Sequence, residues 1–298
     1  MSDSIDLGGR FQPAGTSLAL NRFGYGAIQL TGDMAWGPPR DRHAAVAVVR
    51  EAVRLGIDHI DTSDYYGPHV ANEIIREALH PYPRDLVIVT KVGARRGADK
   101  SWPTALSKEE LVSAVHDNLR SLRRDVLDIV NLRVGGAFNT DEESIAEPLG
   151  VLADLQTKGL IGHIGLSNVS PRQFDEAQSI AKIVCVQNRY NVAFRRDDAF
   201  IDMLSQLGIA YVPFHPIGGF RPLKSPVLDA AAASLGATVR QVALAWLLHR
   251  SPNILVIAGT SSVAHLHENL KAATLRLPPE ILARLDQVAP EDGPRPRR

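Results

Sequence analysis

A chain of 298 residues that is 45% hydrophobic and 22% charged has the make-up of a folded globular protein able to bury a full core. Its 33 basic and 33 acidic residues cancel, so no bulk field directs it to nucleic acid or to a membrane surface. No apolar run nears the roughly 18 residues of a membrane span, the first nine residues lack the apolar core of a signal peptide, and the lone Cys185 excludes an internal disulfide framework, so a cytoplasmic protein is expected.

In chain order, residues 16–21 read as a hairpin strand closing one end of the fold. Strand candidates follow at 23–30, 59–63, 86–92, 127–134, 163–168, 183–188, 210–217 and 254–259. They are almost continuously apolar, as strands buried on both faces are. Helical patterns fill the gaps at 42–55, 72–80, 108–122, 144–158, 171–181, 198–207, 241–250 and 263–272. Their apolar residues fall three to four apart, as Leu111, Val115, Leu119 and Leu122 do. Ser107 marks a helix start, and Gly56, Gly159 and Gly208 sit where helices stop.

Eight strands alternating with eight helices predict an α/β protein, a (β/α)8 TIM barrel with an N-terminal hairpin and a C-terminal helix. Such a barrel needs about 250 residues. An open doubly wound sheet would want a glycine-rich fingerprint after its first strand. Gly24-Tyr25-Gly26-Ala27 opens no G-x-G-x-x-G. The interior has no linker rich in Pro, Gly or Ser, so one domain over 1–298 is expected, with a disordered tail from about Pro290. Cys185, in the apolar run 183–186, reads as a buried thiol. Trp246, among Val242, Leu244, Leu247 and Leu248, reads as packing, and His163 as structural.

On a barrel the active site lies at the C-terminal ends of the strands. Polar residues gather there: Asp61 and Tyr66 after the second strand, Lys91 on the third, Asn131 and Arg133 on the fourth. Ser167 and Asn168 end the fifth, Gln187 and Asn188 the sixth, His215 the seventh, and Gly259 to Ser262 follow the eighth. Convergence from seven strands makes an enzyme the default. Asp61, Tyr66 and Lys91 are the types from which a phenol becomes an acid catalyst. A tyrosine has an ordinary pKa of about 10; a lysine beside it, fixed by an aspartate, would draw that value down. The bland alternative is a surface loop with a stray tyrosine.

Asp61-Thr62-Ser63-Asp64-Tyr65-Tyr66-Gly67, Thr90-Lys91, Gly165-Leu166-Ser167-Asn168, Val186-Gln187-Asn188, Gly259 and Glu268-Asn269, in this order, resemble the aldo-keto reductase superfamily over nearly the whole chain. The resemblance implies NADPH as cofactor and a small carbonyl compound as substrate. It implies that Tyr66 donates the proton, tuned by Lys91 and Asp61. Ser167, Asn168 and Gln187 would hold the nicotinamide carboxamide, and Phe214 would lie under the ring. Gly26, Ala27, Asp61, His215, Gly259 and Thr260 would also meet the cofactor, and Gly218 and Gly219 would let backbone approach the pyrophosphate. Ser261 and Ser262 would cap the helix that faces the adenosine phosphate, with Glu268 and Asn269 at the adenine. His265 stands where many members carry an arginine for the 2′-phosphate; His267 and the hydroxyls could compensate. No metal is expected, since His265 and His267 do not share a helix face.

The main departure is Arg133, where the family places a histidine. A guanidinium offers a fixed fork of donors and permanent charge, which suits a carbonyl with a second oxygen beside it. The alternative is a structural arginine paired to a carboxylate. With Gly37-Pro38-Pro39-Arg40-Asp41-Arg42-His43, Lys91-Val92-Gly93-Ala94-Arg95-Arg96-Gly97 and Tyr211-Val212-Pro213-Phe214, it resembles a bacterial branch that includes pyridoxal reductases. A reductase is one reading. A cofactor-binding sensor of little turnover, as the potassium-channel beta subunits resemble, is the second. Trp36 and Trp102 stand to wall the substrate pocket or to lie outside it, and Arg95 and Arg96 to be solvated or to face an anion. No protein partner is indicated.

Overall fold

Eight parallel strands form the centre of the molecule, each ending where the expected site residues begin. The computed structural model describes residues 5–136, 140–219 and 223–288; the tail expected from Pro290 lies outside them. A short antiparallel hairpin, β1 (Arg10–Phe11) and β2 (Leu20–Asn21), comes first. The parallel strands are β3 (Phe23–Gly26), β4 (His59–Asp61), β5 (Val87–Val92), β6 (Leu127–Arg133), β7 (Ile161–Ser167), β8 (Ile183–Gln187), β9 (Ala210–Tyr211) and β10 (Val256–Ile257). They neighbour one another in chain order, and β10 returns beside β3. Tyr211 closes the ring: its N–H donates to Asn253 O and its carbonyl accepts from Leu255 N–H, both at 2.9 Å.

The barrel has two apolar layers. One fills its interior with Val87, Val89, Ile129, Val184, Ala210 and Ile257, and Phe11, Leu18 and Leu20 of the hairpin pack against that layer. The hairpin therefore plugs the barrel, as its sequence implied. The other layer lies between strands and helices and includes Val92, Leu132 and Leu166 from the strands. Helices α1 (Arg42–Arg54), α2 (Val70–Leu79), α3 (Lys108–Leu122), α4 (Ala146–Thr157), α5 (Pro171–Gln178) and α6 (Asp198–Gln206) follow their strands. Asp41 caps α1, and Ser107 with Glu110 forms a capping box on α3.

Three local expectations change. The strand expected over 210–217 stops at Tyr211, because Pro213 and Pro216 have no N–H for the ladder; Phe214 keeps one bridge to Arg189. The strand expected over 23–30 ends at Gly26, and Ala27–Leu30 winds into a 3-10 turn. Between β9 and the next helices lies α7 (Pro226–Leu235), which was not expected. Its Asp-Ala-Ala-Ala-Ala-Ser core has no apolar stripe, yet alanine is the best intrinsic helix former. Helices α8 (Val239–Arg250), α9 (Val263–Leu270) and α10 (Pro279–Leu285) complete the fold. Trp246 is packed as expected: it stacks on Tyr190 and donates its Nε1–H to Asp286 at 2.9 Å.

Candidate active site

A cleft with a cavity volume of about 160 Å³ opens at the C-terminal ends of the strands. Asp61, Tyr66, Lys91 and Arg133 all line it, as do Gly26, Ser167, Gln187, Phe214, His215, Gly219 and Gly259. Asp61 ends β4 and Lys91 lies in β5, so the parallel register brings two buried side chains together. Lys91 Nζ donates to Asp61 Oδ1 at 2.6 Å and to Thr62 O at 2.9 Å. Both side chains are 5% exposed, so the pair is withdrawn from solvent. Gln187 Nε2 donates to the other Asp61 oxygen at 3.0 Å, Asn131 Nδ2 donates to Gln187 Oε1 at 3.1 Å, and Cys185 Sγ donates to Asn131 Oδ1 at 3.2 Å. One relay thus joins β5, β4, β8 and β6 across the barrel. Burial pushes the Cys185 thiol up to about 12, in line with an inert thiol.

Tyr66 leaves β4 through a tight turn that ends at Gly67. A side chain at Gly67 (φ 91) would press its Cβ to 2.5 Å from Val70 Cβ, so the turn requires glycine. Lys91 Nζ lies 5.2 Å from the Tyr66 ring centre. The expected downward pull on this phenol is not what the environment delivers. Burial pushes Tyr66 above its ordinary range, Asp61 adds to the rise, and Arg133 opposes it. A buried phenolate would lose its hydration, and here that cost dominates. Arg133 ends β6 with its Cζ 5.7 Å from the Phe214 ring, and donates to Gly136 O at 3.3 Å. Burial, with Arg189 and Arg133 nearby, holds the His215 imidazole down at about 4, so it is neutral at physiological pH.

Two of the residues expected at the cofactor have partners within the protein. Asn168, expected at the carboxamide, donates its Nδ2 hydrogens to Val134 O and Gly136 O, both at 3.0 Å. Both amide hydrogens are used in shaping the loop after β6, with Asn168 itself at φ 62. His267, which could compensate for the missing arginine, has its Nε2 2.7 Å from Glu51 Oε1 on α1. Gln187 keeps one donor and one lone pair, because each amide atom has two. Ser167 Oγ is buried and has no partner among the described residues.

Of the residues expected on the phosphate side, Gly26, Gly219 and Gly259 line the cleft, and the others lie outside its lining. Gly26 and Gly259 bring β3 and the segment after β10 together: a Cβ on Gly259 would lie 2.5 Å from Gly26 O. Ala27 is buried in the 3-10 turn. Thr260 Oγ1 accepts from Ser262 N–H at 3.1 Å, and Ser262 Oγ caps α9 by accepting from His265 N–H. Ser261 is exposed and is not the cap, and His265 is exposed beside it. Glu268 and Asn269 lie on α9, and Asn269 Oδ1 is buried without a partner among the described residues. Gly218 and Gly219 hold φ 95 and 71. A Cβ on Gly219 would meet the His215 ring at 2.5 Å, so this corner also needs glycine.

The sequence reading missed Tyr65, Gln29 and Ile217, which line the cleft too. Tyr65 sits edge-on to Tyr66 with ring centres 5.4 Å apart; its place in the same turn was the available signal. Trp102 walls the cleft, whereas Trp36 does not. Asp64, in that turn, is buried, and burial raises its carboxyl to about 7, with Asn118 and Ser63 opposing. A carboxyl raised on folding binds more protons folded than unfolded. Its contribution is therefore full below its unfolded value and falls as pH rises from about 4 to about 7. Asp64→Asn should remove that fall: against wild type, the variant should gain unfolding free energy across this window in urea titrations. A pH-independent difference would refute the assignment.

Residues 22–290 match the aldo/keto reductase family. The chain belongs to that family. An Escherichia coli protein named pyridoxine 4-dehydrogenase is 63% identical over 275 residues, covering 92% of this chain and 96% of its own. A Schizosaccharomyces pombe protein described as an uncharacterized oxidoreductase is 36% identical, over 91% of this chain and 87% of its own. The crystal structure of a thermostable aldo-keto reductase with the inhibitor epalrestat is 30% identical, with a TM-score of 0.80 over 94% of this chain and 99% of that one. This aldo/keto reductase is an oxidoreductase that interconverts a carbonyl and an alcohol. The sensor reading finds no support among these relatives.

Proposed function

We propose that the chain reduces pyridoxal to pyridoxine, the reverse running as a dehydrogenation. The observation that carries this reading is Arg133 lining the same cleft as Tyr66 and Lys91. The likeness to pyridoxine 4-dehydrogenase supports it. Pyridoxal has a phenolic oxygen ortho to its aldehyde, so two acceptors lie side by side. A guanidinium meets two acceptors with parallel donors and loses less on desolvation there than against a lone carbonyl oxygen.

The residues present fit the cofactor. Ser167 Oγ is an unpartnered polar atom in the cleft, and Gly219 leaves a corner with no room for a side chain. Ser167 and the remaining donor and lone pair of Gln187 would hold the carboxamide, Phe214 would face the ring, and Gly218, Gly219 and the start of α9 would meet the phosphates. When bound, NADPH supplies the hydride that adds to the carbonyl carbon. Tyr66 donates the proton to the carbonyl oxygen. Burial keeps the phenol protonated, and it gives up its proton only as the carbonyl oxygen gains negative charge. Lys91, fixed by Asp61 and Thr62 O, then offsets the phenolate charge. Arg133 stabilises charge on the substrate oxygen.

The cytoplasmic assignment belongs to the same proposal. Among the described residues no single helix is long and apolar enough to cross a membrane. Arg133→His should lower the ratio of kcat/KM for pyridoxal over benzaldehyde by roughly tenfold to a hundredfold, the worth of one hydrogen bond to a charged group. Steady-state kinetics with both aldehydes measure it, and an unchanged ratio would make Arg133 a structural residue.

A further inference from the structure

The arm that follows β5 carries a cation that no step above uses. Residues 93–105 fold back on themselves: Arg95 N–H donates to Pro103 O at 3.0 Å, Ala105 N–H to Gly93 O at 2.9 Å, and Gly97 N–H to Ser101 O at 3.1 Å. Arg96 reaches from this arm to the separate loop after β3. Its Nη1 donates to Met34 O and Ala35 O, and its Nη2 to Met34 O, each at 3.1 Å; Nη2 also donates to Lys100 O at 3.0 Å. The guanidinium sits over two aromatic rings, its Cζ 3.8 Å from the Trp102 ring centre and 5.3 Å from that of Trp36. Met34 and Ala35 both adopt left-handed backbone, φ 59 and 55, which side-chain-bearing residues hold only when their surroundings enforce it. Arg96 is an enforcing contact, because it takes both of their carbonyls.

Two routes run from Arg96 to Tyr66. Ala35 O also accepts from Gly67 N–H at 3.1 Å, and Gly67 O accepts from Gly37 N–H at 3.2 Å, so the latched loop braces the residue next to Tyr66. Trp102 packs edge-on to Tyr65 at 5.6 Å and to Tyr66 at 6.5 Å between ring centres, and walls the cleft. We propose that Arg96 is a positioning residue: it latches two loops from different strands and thereby fixes the Trp102 wall and the Tyr66 turn against a planar aromatic substrate. The proposal rests on reading Tyr66 as the proton donor. Arginine is required because the fork serves carbonyls on two loops while its plane stacks on a ring, neither of which an ammonium does.

Arg96→Ala and Arg96→Lys should each lower kcat/KM for pyridoxal by about 10²-fold, the scale of a small misplacement of reacting groups. A slackened Tyr66 turn should lower kcat for every aldehyde, and the lost Trp102 wall should raise KM for pyridoxal far more than for a short aliphatic aldehyde. NADPH affinity and the thermal midpoint should stay near wild type. Acrylamide quenching of tryptophan emission in the protein without ligands should rise, because Trp36 and Trp102 lose their cover. Quenching and kcat/KM both at wild-type levels would overturn the latch, and so would full activity in the lysine variant. A lowered midpoint with kcat/KM retained below it would reduce Arg96 to a stabilising contact. Tyr66→Phe run in parallel separates the two readings. If that variant still turned over, the proton-donor assignment would fall, while the quenching result would still decide the latch.

Discussion

Tyr66→Phe should cost at least roughly 10²-fold in kcat, the contribution of a general acid, while NADPH affinity stays near wild type. The hydroxyl is the only atom removed, and the ring keeps its edge-on contacts with Tyr65 and Trp102. Its proton moves only as the carbonyl oxygen gains charge. Such an interaction lowers kcat and kcat/KM together. Single-turnover reduction with saturating cofactor, beside a cofactor titration, measures both. A rate above about a tenth of wild type, well short of the loss of a general acid, would exclude Tyr66 as the donor.

Lys91→Met should have the largest effect on stability. It leaves the Asp61 carboxylate buried with the Gln187 amide as its one side-chain partner among the described residues. Removing one member of a buried ion pair costs about 3–5 kcal/mol, because the remaining charge is uncompensated. Urea unfolding of the variant should show a loss of this order. Adding Asp61→Leu should recover much of it, since the stranded charge is then gone. A loss below about 1 kcal/mol, the worth of an exposed pair, would mean that water reaches the site.

Much of this arrangement could be read from the chain. The apolar runs located the strands, and the barrel rule then placed their polar ends in one cleft, so Asp61, Tyr66, Lys91 and Arg133 meet as expected. What the runs could not give is the partner each polar atom takes. Asn168 and Gln187 occupy their expected places, yet Asn168 donates to Val134 and Gly136, and Gln187 gives one donor to Asp61 and one lone pair to Asn131. The sign of the Tyr66 shift was misjudged because a neighbouring charge can be read from sequence order, whereas loss of solvent requires the packed surroundings. Arg96 looked equally suited to solvent or an anion. Two of its carbonyl partners, Met34 and Ala35, lie about sixty residues away, beyond the reach of any local pattern.

The relay from Lys91 through Asp61, Gln187 and Asn131 runs entirely between strands. One part of the cleft wall, Trp102, comes from the arm. On the proposed reading, choice of substrate therefore has two addresses in the gene, the strand end that carries Arg133 and the arm that carries Trp102. A library of substitutions confined to 97–105 could remodel the mouth of the cleft without disturbing a buried charge. Changes to the strand ends would alter reactivity and folding at once. Directed evolution toward new aldehydes should therefore start in the arm.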